Sequence, residues 1–385
     1  MTPSRSWDIF CRVVDNYGDI GVCWRLARQL VAQHGQRVRL WVDDLSALAR
    51  IDGRIVPTEA VQARRGVEVR WWADPFGADE VPEPADVVIE AFACDVPAPY
   101  VASMGRRATG PVWLNLEYLS AEEWVSGCHG LPSPHPRLPL IKYFFFPGFT
   151  PGTGGLPLER GLLARRRRFR RSALAQRLFW QSLGMSAPDP CEMRVSLFAY
   201  GNAAIPELLT AWAESPGKVV CLVPDSRAAV QACRFVGLDD SSPGATGSRG
   251  SLEVRVFPFL RQDRYDRLLW ACDCNFIRGE DSFVRAQWAA RPFVWQIYPQ
   301  EEGAHWPKLS AFLDRFCADL APQPALAVRE LWAAWNRGHG VGAAWDEFWA
   351  HRRTLAAHGG HWADRLAAQA HLADALVEFC EDRIK

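Results

Sequence analysis

Apolar and polar residues follow one another in blocks that repeat a strand, a loop and a helix. Residues 7–14 (WDIFCRVV) form a short apolar run typical of a strand buried on both faces of a parallel sheet. A polar loop follows at residues 15–21, and residues 22–30 place apolar side chains at helical spacing. Because this order recurs, the first half is predicted to be a doubly wound parallel sheet. Its further strands are predicted at residues 38–42, 67–72, 87–91 and 112–116, with another apolar run at 141–146.

The pattern restarts after a Pro-rich linker near residues 188–190. The sequence therefore predicts an α/β protein with one Rossmann-like domain at residues 1–186 and a second at 187–361. A C-terminal helix at 362–385 is predicted to cross back to the first domain. In the second half, strands are predicted at residues 193–199, 219–223, 252–256, 274–277 and 292–300. A Ser/Gly-rich surface loop is predicted at 239–250, and an amphipathic helix at about 362–384. In the first half, residues 131–139 are predicted to be a Pro-rich loop.

Length and composition agree with two globular domains. The chain has 385 residues, of which 49% are hydrophobic and 23% are charged, so it can bury sizeable cores. Lys plus Arg equals Asp plus Glu at 44 each, so no overall charge favours direct binding of nucleic acid or of an anionic membrane. We find neither a signal peptide nor a membrane-spanning run, and we expect a cytoplasmic protein.

The cysteine pattern argues against a metal centre. Eleven cysteines are scattered through the chain, mostly in apolar segments, and none forms a C-x-x-C pair. They are typical of reduced core residues. The nearest approach to a metal cluster is Cys128 with His129 and His135, in a Pro-rich loop that lacks a fourth ligand. We therefore expect no bound metal.

Residues 165–171 (RRRRFRR) form the strongest charge run in the chain. In a chain of zero net charge such a run is more often a solvated helix face than a nucleic-acid patch. A docking surface for an acidic protein is the third alternative.

Residues 278–282 (RGEDS) lie between a predicted strand and a predicted helix. Gly279 allows a tight turn, and the N–H groups of the first helical turn form an anion site. This junction suits a phosphate carried on a polyol. Capping of the helix by Asp281 or Ser282 is the structural alternative, although it would not explain four polar side chains together.

Similar polar loops follow other predicted strands. In open α/β sheets, ligands bind at the carboxyl ends of the strands, so these loops are expected to face a shared cleft. The first half contributes Asp15, Asn16, Tyr17 and Asp19, and the second contributes Tyr200, Asn202, Gln262 and residues 278–282. Turn formation and helix capping could account for one of Asp15 and Asp19.

These loops also carry a resemblance to a known family. Residues 15–27 (DNYGDIGVCWRLA), 278–288 (RGEDSFVRAQW) and 297–300 (IYPQ), with the short elements at 153–155 and 200–202, resemble the elongation factor P arginine rhamnosyltransferase family. The resemblance implies a bacterial cytosolic GT-B enzyme that transfers rhamnose from dTDP-β-L-rhamnose to one arginine of elongation factor P, with inversion. The modified factor then helps ribosomes through polyproline stretches. On this basis residues 1–186 bind the acceptor and 187–361 the nucleotide sugar, with no resident cofactor.

The acceptor chemistry explains the need for two carboxylates. A guanidinium is protonated at neutral pH, so an enzyme must hold the cation and remove a proton as the new C–N bond forms. Following the resemblance, we assign Asp19 as the general base and Asp15 as the residue that orients the acceptor, although the sequence alone does not separate them. Asn16, Tyr17 and Gly18 are the other acceptor-loop candidates.

The donor is expected at the second set of loops. Backbone N–H groups at Asp281 and Ser282 would bind the diphosphate and stabilise charge on the leaving group. Glu280, which we also count as catalytic, would accept from a sugar hydroxyl, and Arg278 would bind phosphate or hold Glu280, with a structural salt bridge as the alternative. The full donor set is Tyr200, Asn202, Phe259, Gln262, Arg278, Glu280, Asp281, Ser282 and Tyr298.

Two other functions compete with this one. A GT-B transferase could use another nucleotide sugar and a non-protein acceptor, but a hydroxyl acceptor needs one base and no paired cation clamp. A non-catalytic nucleic-acid-binding protein could use residues 165–171, which zero net charge and the two carboxylate loops disfavour.

Overall fold

The computed structural model describes residues 4–15, 17–73, 76 and 81–384. The chain divides into two compact units. Unit 1 comprises Met1–Arg160 and Leu366–Lys385, and unit 2 comprises Gly161–Arg365.

Unit 1 is built on an eight-stranded sheet in the order β3-β4-β2-β1-β5-β6-β8-β7. The six inner strands are parallel, and β3 and β7 pair antiparallel at the two edges. The elements are β1 Ser6–Cys11, α1 Gly18–His34, β2 Arg37–Val42, α2 Leu45–Ile51, β3 Val61–Arg64, β4 Val67–Trp71, β5 Val87–Ala91, α3 Ala98–Met104, β6 Val112–Leu116, α4 Val125–Cys128, β7 Pro132–Pro134 and β8 Ile141–Phe145.

Unit 2 contains a six-stranded sheet in the order β11-β12-β10-β9-β13-β14, parallel except for β11. After the last strand, the chain continues in helices that are rich in Ala, Leu and Trp. The elements are α5 Leu162–Arg171, α6 Ala173–Gln181, β9 Met193–Leu197, α7 Ile205–Ala213, β10 Val219–Pro224, α8 Arg227–Phe235, β11 Thr246–Arg249, β12 Leu252–Phe257, α9 Gln262–Ala271, β13 Cys274–Arg278, α10 Glu280–Ala289, β14 Phe293–Gln296, a 3₁₀ turn Glu301–Gly303, α11 His305–Cys317, α12 Pro322–Arg337, α13 Val341–Ala350 and α14 Arg352–Ala367.

The last helix, α15 (Leu372–Glu381), belongs to unit 1. His34 Nε2, at the end of α1, lies 3.2 Å from Asp374 Oδ1 of α15, and the ring of Phe379 packs against the ring of Phe145 in β8. The prediction that the C-terminal segment returns to the first part of the chain agrees with this division.

Strand order in each sheet reverses direction once. In unit 1 the chain runs outward from β1 through β2 and β4, then returns to β5 on the other side of β1. In unit 2 it runs outward from β9 through β10 and β12, then returns to β13 beside β9. Crevices at such switch points, outside the carboxyl ends of the strands, are where open α/β sheets bind ligands.

Strand β1 is anchored at its buried start by Asp8. The carboxylate accepts two hydrogen bonds from the Arg39 guanidinium, both at 2.6 Å, and one from Trp41 Nε1 at 3.1 Å. The phenol of Tyr100 donates another. A buried charge is tolerated when it is paired and fully hydrogen-bonded, so this network fixes the strand that leads into the loop after Cys11.

The structure corrects several details of the sequence prediction. The edge strands β3, β7 and β11 were missed, because each is a short and mostly exposed antiparallel strand without a run of apolar residues. Strand β7 lies inside the predicted Pro-rich loop, and β11 lies inside the predicted Ser/Gly-rich loop. Strand β14 ends at Gln296, before the predicted end at 300.

The predicted single helix at 362–384 is two helices. Between α14 and α15 the backbone N–H of Leu372 donates to Leu156 O at 3.1 Å, and His371 forms a bridge with the same residue. This pairing interrupts the helix because a helical backbone would use the same groups internally.

The first boundary between units falls at Arg160 and Gly161, whereas the sequence placed it at 186. Helix α5 packs on α9: the ring centroids of Phe169 and Trp270 are 5.8 Å apart. Residues 161–186 therefore belong to unit 2. No helix in the described part of the chain is both long and apolar enough to cross a membrane.

Candidate active site

Asp19 lies in the first turn of α1, at the switch point of the first sheet. Its side chain is 2% exposed, and Oδ2 accepts hydrogen bonds from the backbone N–H groups of Val14 and Asp15 at 2.9 and 2.8 Å. The phenol of Tyr118 is a third hydrogen-bond partner of this carboxylate. The turn-forming role considered from the sequence is thus real for Asp19, and it fixes the carboxylate in one orientation.

Burial raises the pKa of Asp19 above its ordinary value of 3.8. The hydrogen bonds from Asp15, Val14 and Tyr118 oppose this shift, and the negative charge of Asp43 adds to it. A carboxylate with a raised pKa is a stronger base than one in water, which suits a residue that must accept a proton.

Asp15 is 8% exposed, and its position depends on Gly18. The backbone N–H of Gly18 donates to Asp15 O at 2.7 Å, closing the turn that begins α1. A Cβ atom at residue 18 would lie 2.6 Å from Asp15 Oδ2, which is closer than such atoms approach. The carboxylate therefore occupies space that only glycine leaves open. Tyr17 is the N-cap residue of α1, and Asn16 lies outside the described residues.

The second candidate group surrounds the beginning of α10. Gly279 is its N-cap residue, with φ 67° and ψ 171°, a conformation essentially restricted to glycine. Gly279 has no side chain to cap the helix, and Asp281 and Ser282 are the second and third helical residues, so neither occupies the N-cap position. Glu280 and Asp281 occupy the first turn, and Ser282 is 8% exposed. This helix start has the features of an anion site.

Aromatic rings surround Arg278, which is buried at the end of β13. Its guanidinium carbon lies 4.6 Å from the ring centroid of Phe198 and 4.3 Å from that of Tyr200. Tyr200 makes an edge contact with Tyr298, whose ring is 44% exposed, with centroids 5.8 Å apart. Phe198 makes similar contacts with Phe259 and Tyr265 at 6.2 and 5.8 Å. The structure thus brings together the predicted aromatic residues around a cation.

Phe198 and Tyr265 were missed by the sequence analysis. Phe198 continues β9 and is indistinguishable in sequence from a core residue. Tyr265 lies one helical turn after Gln262, and that spacing was the only available signal. Its buried phenol lies close to Ser282, and burial raises its pKa.

Two polar contacts hold α10 in place on α9. Gln262 Nε2 donates to Asp281 Oδ2 at 3.3 Å. The guanidinium of Arg285 pairs with both oxygens of Asp266, with Nε to Oδ1 at 2.9 Å and Nη2 to Oδ2 at 2.7 Å, and both side chains are buried. A buried bidentate pair of this kind fixes geometry.

The side chain of Asn202 is hydrogen-bonded to neighbouring backbone groups. Its Nδ2 donates to Trp335 O at 2.9 Å, and its Oδ1 accepts from the backbone N–H of Ala204 at the same distance. These contacts give the Asn202 side chain a structural role at the turn before α7.

The arginine run divides into two sets. Arg166 is 6% exposed, and its Nη1 donates to Trp288 O at 2.6 Å, while Arg170 Nη1 donates to Ala290 O at 3.4 Å. These carbonyls end α10, where cations are favourable. The remaining arginines, Arg165, Arg167, Arg168 and Arg171, are exposed. Only these four could form the predicted solvated face or docking surface.

Within the described residues, no group of three or more His, Cys, Asp or Glu side chains could hold a metal ion. The two histidines near Cys128, which were the closest approach to a metal cluster in the sequence, accept hydrogen bonds from backbone N–H groups. His129 Nδ1 accepts from Phe146 N at 3.0 Å, and His135 Nδ1 accepts from Leu138 N at 3.1 Å.

Comparisons with known proteins identify relatives of this chain. Residues 7–381 match the family described as Elongation-Factor P (EF-P) rhamnosyltransferase EarP. A protein-arginine rhamnosyltransferase of Pseudomonas putida is 52% identical, over 97% of this chain and 98% of its own length. A solved structure reported as the structural basis for EarP-mediated arginine glycosylation of translation elongation factor EF-P has a TM-score of 0.69 and 37% identity, over 98% of this chain and 99% of that one. The MurG structure of Acinetobacter baumannii has a TM-score of 0.50 and 14% identity, over 99% of this chain and all of that one, and shows likeness of fold alone.

Proposed function

The chain belongs to the elongation factor P rhamnosyltransferase family, and from that premise we propose that it transfers L-rhamnose from dTDP-β-L-rhamnose to one arginine of elongation factor P. It is an enzyme of the GT-B fold class and a protein-arginine rhamnosyltransferase. Membership of this enzyme family therefore argues against the alternative of a non-catalytic nucleic-acid-binding protein. The donor, the inverting course and a cytoplasmic site of action are parts of the proposal.

The observation that carries the mechanism is the buried carboxylate of Asp19 at the switch point of the first sheet. The acceptor guanidinium holds its protons tightly at neutral pH. Only as its nitrogen attacks the anomeric carbon does the N–H become far more acidic, so that its proton can be removed. Asp19 accepts that proton, and the pKa raised by burial favours the transfer. Asp15 holds the cation through charge-assisted hydrogen bonds.

The bond changes balance without a further reactant. The nitrogen forms a bond to the anomeric carbon as the bond from that carbon to the diphosphate oxygen breaks. Attack from the opposite face inverts the β-linked donor to an α-linked product. The proton goes to Asp19, and the electron pair of the broken bond leaves with dTDP.

Residues around the start of α10 bind the donor. The N–H groups of its first turn and the Ser282 hydroxyl receive the diphosphate and stabilise its growing charge. Glu280 accepts from a sugar hydroxyl. The rings of Tyr200 and Phe259 flank the thymine, and Tyr298 reaches the diphosphate. The grouping of these rings near Arg278 supports this assignment.

Intact-mass measurement tests the proposal. Incubation of elongation factor P with the protein and dTDP-β-L-rhamnose is expected to add the mass of one deoxyhexosyl group. Asp19→Asn is expected to abolish this gain in mass because the variant lacks the base. It should bind dTDP like the wild type in calorimetry, because α10 is unchanged. The exposed loop carboxylate Asp240 offers a matched control, and Asp240→Asn should transfer normally. Turnover by Asp19→Asn would show that Asp19 is not the base.

A further inference from the structure

Two stacked aromatic rings lie beside Asp19 at the switch point of the first sheet. Phe92 follows β5 and Tyr118 follows β6, and their ring centroids are 4.5 Å apart with an interplanar angle of 19°. Tyr118 is 36% exposed, and its phenol hydrogen-bonds the Asp19 carboxylate. A planar apolar surface therefore borders the carboxylate that takes the proton.

The backbone that carries Phe92 is strained. Phe92, Ala93 and Asp95 have φ values of 58°, 52° and 56°, in the left-handed region that phenylalanine and alanine seldom occupy. Such conformations persist only where the surrounding structure imposes them, and they cluster at functional sites.

Buried polar side chains impose this conformation. Asn115 Oδ1 accepts from the backbone N–H of Ala93 at 3.1 Å, and Glu90 Oε1 accepts from that of Asp95 at 3.3 Å. Asn115 and Glu90 are 2% and 1% exposed, and the backbone N–H of Phe92 donates to Leu116 O at 2.7 Å. The fold thus holds a strained turn that presents an aromatic ring next to Tyr118.

We propose that Phe92 and Tyr118 form an acceptor shelf, on which the guanidinium of the substrate arginine stacks while its edge faces Asp19. The inference rests on the proposed function, since it concerns the acceptor of that reaction. A guanidinium is planar, delocalised and weakly hydrated, so its face stacks on aromatic rings while its edge donates in-plane hydrogen bonds to carboxylates. An ammonium offers no such face, and the shelf selects arginine over lysine.

The two parts of Tyr118 have separable roles. Its ring supplies the shelf, and its hydroxyl holds Asp19 in place. Tyr118→Leu removes both, whereas Tyr118→Phe keeps the ring and removes the hydroxyl. Phe92→Leu removes the supporting ring and leaves the phenol of Tyr118 in place.

Steady-state kinetics with elongation factor P and dTDP-β-L-rhamnose distinguish these roles. Tyr118→Leu is expected to raise the KM for elongation factor P about tenfold, the range of a cation on an aromatic face, with the KM for the donor within about twofold of wild type. Tyr118→Phe is expected to keep both KM values within about twofold and to lower kcat several-fold, because Asp19 loses a positioning partner.

Two control variants separate the shelf from general effects of aromatic residues. Tyr143→Phe removes a phenol from the same sheet, and Trp124→Leu removes another exposed aromatic side chain of unit 1. Both should match the wild type. Should Tyr118→Leu fail to fold, as judged by its thermal midpoint, Phe92→Leu answers the same question through the acceptor KM.

An acceptor KM within about twofold of wild type in Tyr118→Leu and Phe92→Leu would overturn the shelf, as would an equal rise in both KM values. An inactive wild-type enzyme would instead overturn the proposed function.

Discussion

Replacing Gly18 by alanine is expected to impair transfer without weakening the fold. The new Cβ would lie 2.6 Å from Asp15 Oδ2, so the carboxylate must withdraw by 0.8 Å to reach the 3.4 Å of ordinary van der Waals contact. A displacement of about 1 Å at a group that positions a substrate can cost about 100-fold in rate. We therefore expect kcat/KM for elongation factor P to fall by about 10- to 100-fold.

The same substitution should leave stability unchanged or raise it. Gly18 is the first residue of α1, a position that alanine can occupy, and alanine is favoured over glycine inside helices by up to about 1 kcal/mol. Gly360→Ala is a matched control, because it also adds a methyl group to a helix, in open space. Kinetics with both substrates and urea unfolding of the two variants separate activity from stability.

Two results would refute this reasoning. Wild-type kcat/KM in Gly18→Ala would show that Asp15 does not orient the acceptor. A lowered free energy of unfolding would show that the helix moved in place of the carboxylate.

Three further predictions concern the protonation of Asp19 and the side chains that support α10. The acid limb of the pH profile of kcat/KM, which reports the free enzyme, should lie above pH 3.8, since the base form of Asp19 is lost as pH falls through its raised pKa; a limb at or below 3.8 would contradict that environment. Asp266→Ala should lower the free energy of unfolding by about 3–5 kcal/mol because it removes the bidentate carboxylate partner of a buried guanidinium. Asp319→Ala, which breaks an exposed pair, should cost less than about 1 kcal/mol, and equal losses in urea titrations would refute the contrast. Arg166→Met should cost about 1–3 kcal/mol through the loss of the buried hydrogen bond to the Trp288 carbonyl, and Arg167→Met, on the exposed face of the same helix, less than about 0.5 kcal/mol. Similar thermal midpoints of the two variants would show that the buried contact is unimportant.

The central strands were predictable because burial on both faces requires continuous apolar runs. Strand β5, for example, is buried at all five positions. The edge strands were not, since a strand such as β11 (TGSR) pairs on one side only and needs no apolar pattern. The break between α14 and α15 depends on a contact with Leu156, more than two hundred residues away in sequence, which helical periodicity does not reveal.

The polar part of the candidate site was accessible from sequence for a similar reason. Asp19 and Ser282 follow recognisable strands, and the carboxyl ends of parallel strands are where ligands bind. Of the aromatic part, Tyr200, Phe259 and Tyr298 were predicted, whereas Tyr118 and Phe198 were not. Tyr118 and Phe198 resemble core residues, and their nearness to Asp19 and Arg278 follows from strand order, with β1, β5 and β6 adjacent in one sheet and β9 and β13 in the other.

The return of Leu366–Lys385 to unit 1 has a consequence for biosynthesis. Unit 2 is one continuous segment, so it can be complete as soon as Arg365 has left the ribosome. Unit 1 begins first but lacks α15, which packs on α1 and β8, until residues 372–381 have been synthesised after unit 2. Domains usually mature in the order of synthesis. Here the order is reversed: a nascent chain can hold a complete unit 2 before the carboxylates at the start of α1 are fully supported, and the synthesis of α15 is the step that completes unit 1.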